Sequence, residues 1–203
     1  MKYVDLSVAI NEDTPIYPGD PKTSIKPAAM LDKDGYYDHY FSMGTHVGTH
    51  VDAPMHMIAG GKSLDQIPVD QFIGRGVYVD VTDGNFDAVK NAGIQEGDIV
   101  LLHTGMGAKY HESAYFDDYP AMSEEVASYL VEKKVKMVGL DTCSPDNKDG
   151  FPVHKILLAG DVLIIENLTN LEQLAGKAFR LFALPINLQI DGAPARVIAE
   201  IES

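Results

Sequence analysis

Apolar residues fall along this chain in short, nearly unbroken runs set between glycines and charged turns. Val77-Tyr78-Val79-Asp80-Val81 is a β-branched run, and Ile99 to Thr104, Lys136 to Asp141 and Val162 to Glu166 are further short apolar runs, the pattern of buried strands. Residues 2–10 predict a first strand, and Phe179 to Leu184 and Ala195 to Ile201 the last ones. Helical stretches are expected between these runs. Ser123 is placed to cap a helix through Lys134, with Glu124 and Glu125 in its first turn and Lys133-Lys134 in its last, both favourable to the helix dipole. Phe86 to Ala92, closed by Gly93, and Leu168 to Leu174, ended by Gly176, predict two shorter helices. This order of elements predicts one α/β (α+β) domain over residues 1–203, a central mixed sheet with flanking helices.

The pattern breaks in the first third. Asn11 to Pro27 carries Pro15, Pro18, Pro21 and Pro27, and proline fixes φ and removes a donor, so an irregular surface segment is expected. Within it, Tyr17-Pro18-Gly19-Asp20 predicts a turn bearing an aromatic side chain. Tyr36 to Met43 predicts a strand leading onward. Ser63-Leu64-Asp65-Gln66 has the spacing of a capping box and predicts a short helix limited by Pro68.

Composition narrows the class. Apolar residues make up 45% of the chain and charged residues 23%, as in an ordinary water-soluble domain. A net charge of −14 argues against nucleic acid or an anionic membrane as partner, since phosphate binding needs a basic patch. The one cysteine, Cys143, excludes an internal disulfide and fits a reducing compartment. No run reaches the roughly 20 apolar residues that span a bilayer, and the first residues do not have the form of a signal peptide. A cytoplasmic location is expected.

The chemistry concentrates between Gly44 and His56. His46, His50 and His56 are three of the chain's seven histidines, with Asp52 among them. Imidazole and carboxylate are the ligands borderline divalent metals prefer. A helical His-x-x-x-His pair is disfavoured here, because Val47, Gly48 and Thr49 intervene and Pro54 follows. In an extended backbone His50 and Asp52 share a face, and a bend at Gly48 brings His46 alongside. Asp52 can bridge to a second ion. Donors for that ion are expected at His154, placed in a polar loop after Phe151-Pro152, and at Glu166, a carboxylate at the edge of a core that needs a partner. The plainer alternatives are a hydrogen-bonded polar turn at His46, His50 and Asp52, a solvated loop histidine at 154 and an ordinary strand-end carboxylate at 166. His39, His103 and His111 are read as structural or surface residues, Asp141 with Thr142 and Ser144 as turn chemistry, with lining of the pocket as the alternative, and Cys143 as inert.

His46-x-Gly48-Thr49-His50-x-Asp52-x-Pro54-x-His56 resembles the signature of the metal-dependent cyclase-like hydrolases, the family of bacterial kynurenine formamidase and isatin hydrolase. The spacing of His154 and Glu166 is similar to that family's downstream ligand pair. Weaker matches lie at Tyr17-Pro18-Gly19-Asp20, Gly60-Gly61-Lys62-Ser63, Leu140-Asp141-Thr142 and Leu184-Pro185. The resemblance implies a swivelling β/β/α-type fold, a homodimer or homotetramer, and a divalent metal, two zinc ions or else manganese or another divalent ion. It implies that His46, His50 and Asp52 hold one ion, that Asp52, His154 and Glu166 hold the second, and that His56 is the general acid/base. The implied reaction is attack of a metal-bound hydroxide on a small amide, above all an N-formyl aryl amine such as N-formylkynurenine. The alternatives are a lactam or cyclic imide, or a protein that binds metal or ligand without turnover. One departure bears on substrate. Tyr17 stands where the formamidases are expected to carry tryptophan, and this chain has no tryptophan; tyrosine can still stack on an aryl ring.

Overall fold

The structure is a computed structural model describing residues 2–202. Its elements in chain order are β1 (Lys2–Asp5), β2 (Ser24–Ala29), α1 (Leu31–Asp34), β3 (Asp38–Ser42), β4 (His50–Asp52), β5 (Ile73–Asp80), β6 (Ile99–His103), α2 (Glu124–Glu132), β7 (Met137–Leu140), α3 (Pro152–Ala159), β8 (Leu163–Glu166), β9 (Phe179–Pro185) and β10 (Gly192–Ile201). Among the described residues no helix is long and apolar enough to cross a membrane.

The sheet is mixed and closes on itself. Strands β5, β6, β7 and β8 are parallel neighbours, while β8–β4, β4–β10, β10–β9 and β9–β5 pair antiparallel. Seven strands thus form a barrel-like ring, and β1 extends it along residues 198–201 of β10. The predicted α/β class with a central mixed sheet and flanking helices is what the chain adopts.

The parallel strands read as continuous apolar runs because each face has its own core. Ile99 and Leu101 of β6 point into one cluster with Val51, Met137, Leu163, Ile165, Phe179 and Val197. Val100 and Leu102 point the other way, against Val126 and Leu130 of α2 and Val153 and Leu157 of α3. Alternation across a strand supplies both. Burying each such side chain is worth about 1.5–3 kcal/mol.

Several local expectations change. The stretches 86–92 and 168–174 form only 3-10 turns, at Phe86–Asn91 and Leu171–Leu174. Leu64–Gln66 is also a single 3-10 turn, with the Ser63 N–H donating to Gln66 Oε1 at 3.1 Å. The tail of the proline-rich segment is not irregular: Ser24–Ala29 is β2, paired antiparallel to β3. Pro27 is tolerated because this two-stranded ribbon lies outside the main sheet. Residues 36–43 do contain a strand, but it belongs to that ribbon and all of Asp38–Ser42 is exposed.

Candidate metal centre

Strand pairing brings the chemistry together. β4 is flanked by β8 and β10, with His50 opposite Glu166 and Asp52 opposite Gly192. His50 and Asp52 are fully buried and Glu166 nearly so. Gly48, at φ +68°, makes the bend before β4. In this left-handed conformation its carbonyl accepts from His50 Nδ1 at 2.8 Å and from Asn167 Nδ2 at 3.0 Å. A side chain at position 48 would be strained there and would meet Ile10 at 2.8 Å.

His154 is not in a loop, and that expectation is corrected. Pro152 occupies the first turn of α3, where its missing donor costs nothing, and His154 follows two residues later, buried. The Asp146 carboxylate receives the backbone N–H groups of Val153 and His154, each at 2.9 Å, and His154 Nδ1 at 2.7 Å. Asp146 therefore satisfies the start of the helix and orients the imidazole, whose Nε2 turns to Glu166 Oε1 at 3.1 Å and Asp52 Oδ2 at 3.7 Å.

The remaining distances complete the cluster. His46 Nδ1 lies 2.7 Å from Asp52 Oδ1, and His50 Nε2 lies 3.3 Å from both Asp52 Oδ1 and Glu166 Oε2. His56 packs its ring 4.0 Å from that of His46, centroid to centroid. Among the described residues, two groups have donor atoms close enough to share an ion: His46, Asp52 and His56, and His50, Asp52 and Glu166. Asp52 belongs to both. The structure thus gathers His46, His50, Asp52, His56, His154 and Glu166 at one place, although it groups His56 with His46 and leaves His154 beside Glu166.

A cation fits this set. The Gly48 carbonyl can only accept, so His50 Nδ1 carries a hydrogen, and Nε2 is the atom left facing two carboxylates, where it holds a proton or, once that proton is displaced, serves a cation. His50 Nε2 and Asp52 Oδ2 are buried without a hydrogen-bond partner, a costly state that positive charge between them relieves. The titration directions agree. Burial opposes charge on every imidazole here, but the adjoining carboxylates outweigh it at three. Asp52 holds His46 up and, with Glu166, raises His50 well above its usual range; Asp146 and Glu166 raise His154 to about 10. His56, whose nearest acid is Asp191 at 3.4 Å, is instead lowered by burial. The residues present suit a divalent metal, which displaces such protons when it binds.

The cluster opens into a cleft of about 200 Å³ lined by Pro15, Tyr17, Met57, Phe116, Ser144 and Phe151 beside the polar groups. Tyr17 stands edge-on to Phe116, their centroids 6.0 Å apart. Cys143 also faces the cleft, but burial pushes its thiol up to about 12. Asp141 does not line the cleft; its carboxylate accepts from the Thr104 N–H and hydroxyl and from the Gly105 and Gly107 N–H groups. His103 accepts or donates to Tyr78 Oη at 2.8 Å, away from the cluster.

Two acids escaped the sequence reading. Asp146 follows Ser144-Pro145 in what reads as an ordinary turn, and its contact with His154 spans eight residues. Asp191 sits in the loop before β10, and its carboxylate lies 2.8 Å from His46 Nε2. Neither carries a local signal, because tertiary folding alone gives each its partner.

A buried metal-ligand set beneath a hydrophobic cleft places the chain among the hydrolases that work through a divalent metal. The chain belongs to the Cyclase family, which matches residues 4–147. It is 28% identical over 206 residues to a kynurenine formamidase of Bacillus cereus, covering 97% of this chain and 96% of that one. Among solved structures it superposes on isatin hydrolase A from Ralstonia solanacearum with a TM-score of 0.86 and 25% identity, over 99% of this chain and 92% of the other. A potential metal-dependent hydrolase with cyclase activity matches with a TM-score of 0.81 and 31% identity, over 98% and 96%.

Proposed function

We propose that this protein hydrolyses a small amide, an N-formyl aryl amine such as N-formylkynurenine in the first instance, to the free amine and formate. The observation that carries the reading is the placement of His56 against the ligand cluster, its ring 4.0 Å from that of His46, in a cleft also lined by Tyr17, Phe116 and Phe151. In this reading His46, His50 and Asp52 hold one ion, and Asp52, His154 and Glu166 a second. Zinc is the expected metal, and manganese the competing one. The metal supplies Lewis acidity toward the carbonyl and makes water a nucleophile near neutral pH.

The chain's own groups do the rest. Tyr17 and the two phenylalanines offer ring faces and edges to an aryl substrate and keep the site dry. His56, whose pKa burial lowers, accepts a proton as water attacks the carbonyl carbon. It returns that proton to the nitrogen as the C–N bond breaks, so the amine leaves neutral. Asp146 keeps the His154 ring turned toward Glu166 throughout.

Hydrolysis of a lactam or cyclic imide is the second reading. It is favoured by the likeness to isatin hydrolase A and by Tyr17 in place of tryptophan. The deciding experiment is a hydrolysis screen of N-formylkynurenine, isatin and a cyclic imide on metal-loaded and chelator-stripped protein, paired with elemental analysis. Turnover of the formyl amide that disappears on stripping supports the first reading, and turnover of isatin alone transfers the assignment to the second. Metal content without turnover of any of them would indicate a binding protein. The proposed setting is the cytoplasm.

A further inference from the structure

We infer that Asp191 is a positioning residue that fixes the ring orientation of both His46 and His56, tying a metal ligand to the proton carrier; this rests on the roles proposed above for those two histidines. Asp191 Oδ2 lies 2.8 Å from His46 Nε2 and 3.4 Å from His56 Nδ1. A carboxylate only accepts, so each of those nitrogens carries the hydrogen. The opposite nitrogens are then committed. His46 Nδ1 points at Asp52 Oδ1, 2.7 Å away, where it too carries a hydrogen until a metal displaces it, and His56 keeps Nε2 clear of the Asp191 carboxylate.

The backbone holds this carboxylate in place. The Asp191 carbonyl accepts the Ala53 N–H at 2.8 Å, which ties the loop to the residue that follows Asp52. The next residue, Gly192, leaves the gap into which the His46 ring packs: a Cβ there would sit 2.6 Å from His46 Cε1. The ring is therefore set from one side by close packing and from the other by a hydrogen bond. Carboxylates that fix a ligand histidine's tautomer in this way typically govern metal affinity by about 10–100-fold. Here the same oxygen also serves the acid/base residue.

The test uses the whole protein, zinc as the probe and histidine ring NMR. Zinc affinity is measured by chelator competition, and the tautomers of His46 and His56 by two-bond 1H–15N correlation on zinc-loaded protein. In the parent, His46 should show Nε2–H and His56 Nδ1–H. Asp191→Ala should weaken zinc binding about 10–100-fold and release His56 from its single tautomer. Asp191→Asn, which keeps an acceptor oxygen, should fall between the two and carries the test if the alanine variant fails to fold. Unchanged zinc affinity, or unchanged His56 ring signals, would overturn the inference. A parent protein that binds no zinc or other divalent ion would instead show that the functional reading itself is wrong.

Discussion

At the scale of single residues, His56 differs from the other imidazoles of the cluster. The other three lie against carboxylates that raise them above the usual imidazole range, whereas burial lowers His56. His56→Ala should accordingly retain the parent's metal stoichiometry while hydrolysis falls by at least about 10²-fold, the lower range for general acid/base catalysis. Full activity in that variant would remove the assigned role. Cys143 faces the same cleft without taking part. With its thiol near 12, the thiolate fraction stays small at neutral pH and grows with every pH unit above it. Alkylation by iodoacetamide should be slow at pH 8 and still climbing at pH 10, where an exposed cysteine has levelled off; a plateau near pH 9 would contradict the burial effect.

At the scale of elements, α3 shows how a proposed metal ligand, His154, depends on something outside the helix. Asp146 supplies the acceptor for two backbone donors and for the His154 ring. Asp146→Ala orphans three buried donors, and each orphaned group costs about 1–3 kcal/mol. A clear fall in the urea midpoint is expected, together with weaker metal binding; an unchanged midpoint would mean that water replaces the carboxylate. The same helix marks the limit of what the chain's pattern discloses. Strands β5 to β8 are legible because their apolar runs are local, and α2 because Ser123 does accept from the Val126 N–H. The extended His50–Asp52 segment is legible from Gly48 and Pro54. Helix α3 follows Phe151, held at φ +50°, and begins at a proline in a stretch whose preceding Asp149-Gly150 reads as loop. Asp146 and Asp191 acquire their partners only when distant segments meet.

At the scale of the molecule, the ribbon of β2 and β3, with Tyr36 and Tyr37 in the turn that leads into β3, carries aromatic side chains that the rest of the chain leaves largely uncovered. Tyr36, Tyr37, Tyr40 and Phe41 are 59%, 63%, 65% and 58% exposed. Tyr40 and Phe41 are adjacent in β3, so they face opposite sides of the ribbon. A two-stranded ribbon is marginal by itself in water, and one that is aromatic on both faces needs to be gripped on both. The proposed partner is a second copy of this chain. Taking about 200 Å² per aromatic side chain, one ribbon offers roughly 500 Å². Two ribbons and the surfaces that receive them then bury roughly 2,000 Å², within the range of stable specific interfaces. The homodimer implied by the family resemblance is thus expected to form through this arm. Light scattering after size exclusion should report a dimer or a tetramer for the parent and a monomer for the double variant Tyr40→Lys with Phe41→Glu. The hydrophobic clusters lie in the barrel and not in the arm, so the far-UV spectrum of the double variant should keep its sheet signal. A parent that stays monomeric at tens of micromolar, or a double variant that still dimerises, would assign the arm another role.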